Sequence, residues 1–236
     1  STVSILIGII AALIVGAACG AFNGFIIGSL NIPAMLVTLC GLELYSGLAL
    51  AITGGPAINS LPDAFKNIAN GSVGAIPIVI FIFIAVLLIV TFIMKCTVFG
   101  HEIYYLGTNA QASKYSGINN LKVTILTYMC SGILGSIAGI VITSHLNSAK
   151  SSNGSSYTTL SLLIAVLGGI NPDGGFGSIP GVAIAVLILQ MLSSYLNMFP
   201  SISNYYRDLI WGVALIAVLI MNFTIEKRRM AKLSQK

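Results

Sequence analysis

The chain has 236 residues, of which 56% are hydrophobic and only 7% charged, with a mean hydropathy of +0.98. A soluble domain carries about a quarter of its residues as charges, so this balance excludes one and points to an integral membrane protein. The net charge of +5 is not spread over a basic face with interleaved aromatics, and no nucleic-acid partner is expected.

Apolar runs occupy residues 4–30, 32–52, 75–94, 123–145 and 179–198, with a shorter run at 160–170 and a seventh at 208–223. A helix rises about 1.5 Å per residue and the hydrocarbon layer is about 30 Å thick, so about 20 residues are needed to cross. The expected fold is therefore all-α, a polytopic transmembrane bundle of six to seven helical segments with one short or broken. The first run is too long for a signal-peptide core and lacks a basic n-region, so it reads as a span.

Within that first run Gly16, Gly20, Gly24 and Gly28 recur every four residues and share one helix face, which favours close approach of a second helix. The second run contains Thr38 and Glu43. A carboxylate inside an apolar run is costly to bury and is a functional candidate, with Thr38, Tyr45 and Ser46 as neighbours able to satisfy it.

Residues 95–122 form a polar connection. Thr108 followed by Gln111 fits a capping box, Gly117 suits a helix stop, and the short helix between, 109–116, is too brief to stand alone in water. It needs a surface: the membrane, the protein's own loops, or a groove on a cytosolic subunit. The next run carries a second small-residue series at Gly132, Gly135 and Gly139.

The run at 160–170 is too short to span upright and reads as a tilted span or half-helix. After it, Asn171-Pro172-Asp173-Gly174 reads as a turn, and Ser178 with Pro180 as the next helix start. Gly175-x-Gly177 lacks the context of a dinucleotide fingerprint. Amides at that helix start either face a polar solute or end a plain connector. Thr38, Glu43 and Asn171 are the candidate path-lining polar residues.

Lys95, Lys114, Lys122, Lys227, Arg228, Arg229, Lys232 and Lys236 fall on one side of the proposed topology, and Lys66, Lys150 and Arg207 on the other. The positive-inside rule then puts 95–122 and the basic tail 224–236 in the cytoplasm. Segments 53–74, 147–156 and 200–206 face outward, with Tyr157, Tyr195, Tyr205, Tyr206 and Trp211 as an outer aromatic belt. Cys19, Cys40, Cys96 and Cys130 form no C-x-x-C pair and read as small buried side chains, with no metal site. His101 and His145 read as surface groups. No G-x-x-x-x-G-K-[ST] loop occurs, so energy has to come from another chain or a gradient.

Gly107-Thr108-Asn109-Ala110-Gln111-Ala112-Ser113-Lys114-Tyr115-Ser116-Gly117-Ile118 resembles the G-x-N-x-x-A-A-x-x-x-G-I cytoplasmic loop of ribose-type sugar permeases, the membrane subunits of bacterial ATP-binding-cassette importers. Pro33 through Thr38-Leu39, with Thr53-Gly54-Gly55, is similar to that family's P-x-x-x-x-T-L and T-G-G segments. Ile164-Ala165-Val166-Leu167-Gly168-Gly169 and Gly174-Gly175-Phe176-Gly177-Ser178 resemble its I-A-A-V-V-L-G-G and G-G-x-G-S signatures. The likeness runs from about residue 16 to 223. Ser113 stands where the family usually has Ala, Ser46 where it commonly has Arg, and its G-I-D-L-S-V-G-S segment is absent here, so one or more N-terminal helices of the family are expected to be missing.

The resemblance implies one transmembrane permease domain over 1–236, similar to type II importers and not itself an enzyme, in the bacterial cytoplasmic membrane. A second permease copy or paralogue would complete the path for a sugar or sugar-like solute delivered by an external solute-binding protein. The chain would bind no cofactor, and ATP-Mg would sit on a partner ATPase. The loop 107–118 would hold the coupling helix, with 108–115 as the ATPase contact. The competing reading is a proton-coupled secondary transporter that uses Glu43.

Overall fold

The computed structural model describes residues 2–55, 57–59, 61–74, 76–170, 174–198, 209–218 and 220. It divides into two compact units, 1–154 and 155–236. The first holds α1 (Thr2–Leu30), α2 (Ala34–Thr53), β1 (Ile58–Asn59), α3 (Asp63–Asn70), β2 (Ser72–Val73), β3 (Ile76–Pro77), α4 (Ile78–Cys96), α5 (Val98–Thr108), α6 (Ala110–Tyr115), α7 (Asn120–Leu146) and β4 (Ser148–Ala149). The second holds α8 (Ser155–Leu167), α9 (Ile179–Asn197) and α10 (Leu209–Val218).

Among the described residues, α1, α2, α4, α7 and α9 are long and apolar enough to cross a membrane. Their large apolar side chains, among them Leu6, Ile14, Leu36, Leu88, Phe92 and Ile188, stay exposed, as suits helices whose solvent is lipid. The polytopic all-α class expected from composition holds. Prolines mark four helix starts, Pro33, Pro62 and Pro77 at the cap and Pro180 in the first turn of α9, where a missing N–H costs little.

The first unit is organised by α1 against α7, which run antiparallel. A side-chain carbon at Gly16 would strike Gly132 O and Ser136; at Gly20 it would strike Tyr128, at Gly24 Ile125, and at Gly28 Leu121. Ser136 Oγ donates to Ala12 O at 3.0 Å across the same seam. Between lipid-exposed helices no hydrophobic term drives association, so this close backbone packing supplies the attraction. The partner series differs from the expected one: Gly135 and Gly139 have open space around them, and Gly132 makes the close approach.

α7 has 27 residues, about 40 Å, longer than the hydrocarbon layer of a bilayer is thick. At its C-terminal end sits α3, an amphipathic eight-residue helix within the segment 53–74. Ser144, fully buried, donates to Phe65 O (2.7 Å) and accepts from Ala69 N (3.0 Å). Asn70 Nδ2 donates to Ser144 O (3.2 Å), and Leu61 N to Asn147 Oδ1 (3.1 Å). β1 pairs antiparallel with β4, Ile58 opposite Ala149 and Asn59 opposite Ser148. At its N-terminal end α7 receives α5 and α6.

In the second unit Leu163, Leu189 and Trp211 form a buried core. Trp211 is therefore a core residue and not part of an aromatic belt, whereas Tyr157 and Tyr195 are exposed and Tyr205 and Tyr206 lie outside the described residues. α8 has 13 residues, about 20 Å, the short element expected from its run. Ser178 Oγ caps α9 by accepting from Gly181 N at 3.4 Å. All four cysteines are free. Cys40 and Cys96 are exposed, which corrects the expectation that they are buried.

Candidate functional site: a polar loop and an intramembrane cavity

The polar connection is more helical than its composition suggests. α5 starts directly after α4, with Thr97 Oγ1 accepting from Gly100 N at 3.2 Å. The short helix follows, and its cap is not the expected one. Thr108 ends α5 with its hydroxyl donating to Tyr104 O at 2.8 Å, so it does not form a box with Gln111. Asn109 takes the role one residue later: its Oδ1 accepts from Gln111 N and Ala112 N, both at 3.0 Å. Two of the free amides at the helix start are thereby satisfied.

The other end closes as the glycine suggested. Gly117 has φ +83°, the left-handed region. Ile118 N donates to Ser113 O (3.2 Å) and Gly117 N to Lys114 O (3.1 Å), the paired bonds of a Schellman stop. Nothing lies within 4 Å of a Cβ at Gly117, so glycine is required there by backbone conformation and not by space.

One side of α6 is tied inward. Ser113, buried, donates from Oγ to Asn120 Oδ1 at 3.0 Å, and Asn120 Nδ2 donates to Ala110 O at 2.7 Å. The other side is bare: Asn109, Ala110, Gln111, Ala112, Lys114 and Gly117 are exposed, and Tyr115 is 92% exposed. An aromatic ring left this open on a six-residue helix is a feature of binding surfaces. Gly107 and Ile118 flank the face, exposed and half-buried respectively.

A cavity of about 360 Å³ lies among α1, α2 and α7. Its polar lining includes Asn23, Thr38, Tyr45, Tyr128, Ser131 and Ser136, and it has no charged residue. Tyr45 Oη donates to Asn23 Oδ1 at 2.9 Å and lies 3.1 Å from Cys19 O. Thr38 reaches this cavity, with its own hydroxyl donating back to Ala34 O at 3.0 Å. Glu43 does not: it is exposed on α2 and absent from the lining. Thr38 and Tyr45, two of the three groups expected to satisfy Glu43, are bonded elsewhere. Asn171 lies outside the described residues. Asn23 and Tyr128 were not singled out from sequence, although each is a polar group inside an apolar run, which is the signal that would have found them; Tyr45 was, but as a neighbour of Glu43 and not as a cavity residue.

Neither histidine joins a relay. His101 Nδ1 lies 2.9 Å from Thr97 O of its own helix, and His145 Nδ1 lies 3.0 Å from Asn70 Oδ1.

Comparison with known proteins agrees with this architecture. Residues 1–219 match the family described as branched-chain amino acid transport system / permease component. The chain is 34% identical over 221 residues to the ribose import permease protein RbsC of Haemophilus influenzae, covering 92% of this chain and 68% of that one. It is 35% identical over 225 residues to the RbsC of Escherichia coli K12, covering 93% and 70%. To the autoinducer 2 import system permease protein LsrC of Klebsiella pneumoniae it is 31% identical over 208 residues, covering 88% and 60%. No solved structure matches the chain. With spans fit for a membrane and a family match along nearly its whole length, the chain belongs to the branched-chain amino acid transport system permease family and is a non-catalytic, multi-pass membrane permease.

Proposed function

We propose that this chain is the membrane subunit of an ATP-driven importer for a sugar or sugar-like solute, working as a pair of permease copies or paralogues in the bacterial cytoplasmic membrane. A cytosolic ATPase carrying ATP-Mg supplies the energy, and an external solute-binding protein delivers the cargo. The chain itself binds no cofactor. The single observation that carries the reading is α6: a capped, glycine-stopped, six-residue helix with one face tied to α7 and the other, with Tyr115, uncovered.

In this reading 107–118 faces the cytoplasm and the basic tail lies on the same side, consistent with the Lys and Arg distribution. Residues 108–115 sit in a groove of the ATPase. Closure of two ATPase domains displaces α6, and α6 moves the spans joined to it. The uncharged, hydroxyl- and amide-lined cavity beside α2 suits a neutral polyol, because each polar group offers a donor or acceptor without an ion to desolvate. The relatives named for ribose and for autoinducer 2 import support that solute class.

The test is uptake into proteoliposomes holding the permease with its cognate ATPase and binding protein. Sugar accumulation that requires internal ATP and ignores a proton-conducting uncoupler is expected. Accumulation abolished by the uncoupler and by Glu43→Gln would replace this reading with a proton-coupled one.

A further inference from the structure

We propose that α7 is a transmission rod whose two polar joints, Asn120 at one end and Ser144 at the other, connect the coupling helix α6 directly to the outer helix α3. Both joints are made by a side chain of α7 that bonds to the backbone of the attached helix. Asn120 bridges Ser113 Oγ (3.0 Å) and Ala110 O (2.7 Å). Ser144, with no exposed surface, holds Phe65 O and Ala69 N at 2.7 and 3.0 Å. The distance between these joints along the helix is 24 residues, about 36 Å, so they lie on opposite faces of a bilayer.

Three features make α7 a rod and not merely a span. It is one uninterrupted helix with no proline, and its Ser131-Gly132 step, a pair at which helices can bend, is packed at the seam against the backbone of Gly16. Its seam with α1 is formed by backbone contacts at Gly16, Gly20 and Gly24, which fix its line of motion and leave little slack. Each attached helix is short, six and eight residues, and too brief to hold its place without the joint. The outer joint is reinforced: Asn70 donates to Ser144 O at 3.2 Å and accepts from His145 Nδ1 at 3.0 Å, and Asn147 Oδ1 accepts from Leu61 N. A shift of α6 is thus delivered to α3, where it changes the exposure of that helix. Asn120 and Ser144 are positioning residues, since neither touches solute or nucleotide. The inference rests on the reading that α6 contacts the ATPase.

The test uses the full complex in proteoliposomes, with Cys19, Cys40, Cys96 and Cys130 replaced by Ser and a reporter Asp63→Cys on α3. An impermeant thiol reagent added outside reads the exposure of α3 without nucleotide and with ATP plus vanadate. The two labelling rates are expected to differ by about fivefold or more, the size of an ordinary coupling between sites. Ser144→Ala, Asn70→Ala and Asn120→Ala should each shrink that difference below about twofold while ATP hydrolysis by the complex persists, a split that general unfolding would not produce. Persistence of the full difference in all three variants would overturn the rod. So would equal rates in the two states of a parent complex whose ATP-driven uptake is intact, and the importer reading would then stand without it. A parent with no ATP-driven uptake would overturn both.

Discussion

Gly132 of α7 meets Gly16 of α1 backbone to backbone, so that a methyl group on either would strike the other's carbonyl oxygen. Gly132→Ala is therefore expected to force the helices apart and to cost about 1–3 kcal/mol, the usual penalty of overpacking. Gly139→Ala, with open space around the new carbon, is expected to be neutral or to stabilise by up to about 1 kcal/mol through helix propensity. Thermal unfolding of the purified protein in detergent separates the two.

At the polar loop the backbone at Gly117 requires a left-handed residue. Gly117→Val puts a branched side chain there at a cost of about 1–2 kcal/mol, and the stop of α6 is lost. Asn109→Ala removes the cap and costs about 0.5–2 kcal/mol, while Asn109→Ser retains a capping oxygen. Ala112→Trp leaves the fold intact and obstructs the exposed face. Expected for Gly117→Val, Asn109→Ala and Ala112→Trp is ATP hydrolysis without matching uptake, with membrane insertion unchanged; Asn109→Ser should couple normally. Parallel assays of phosphate release and solute uptake check this.

The positions of the spans were legible in the sequence, because a run of about 20 apolar residues has few alternatives in a bilayer. What was not legible required pairing one element with another. α3 is polar on composition and became a helix through Ser144, 75 residues from Ala69 in the chain. Thr108 and Asn109 are adjacent and both can cap, and only the continuation of α5 through Thr108 decides for Asn109. Gly132, Gly135 and Gly139 all lie along α7, yet Gly132 alone of these comes within a methyl's reach of α1. Trp211 sits near a run end, as belt residues do, but is taken into the Leu163–Leu189 core.

Glu43 is exposed on α2 and does not line the cavity. Glu43→Gln is expected to leave ATP-driven uptake near the parental level and insensitive to uncoupler. Tyr45→Phe removes the hydroxyl bonded to Asn23 while keeping the ring, and is expected to lower uptake more than hydrolysis. Uptake of labelled solute against internal ATP measures both.

On α3, Lys66 Nζ donates to Asp63 Oδ1 at 2.7 Å; that hydrogen bond, and then the Lys66 charge, holds the Asp63 carboxyl below its ordinary range. A carboxyl lowered by folding contributes stability above its unfolded pKa, and the contribution is lost as pH falls through the folded pKa. The pair is exposed and screened, so the loss of thermal stability in Asp63→Asn should be small, present near neutral pH and vanishing below about pH 4. Unfolding scans across pH read this directly.

The most direct measurement places a photo-reactive residue at Ala112 on α6 and, separately, at Lys66 on α3, in membranes that also contain the cognate ATPase. A cross-linked permease–ATPase product from position 112 and none from position 66 is the predicted result. A product from position 66, or none from position 112 in a complex that still hydrolyses ATP, would contradict the account.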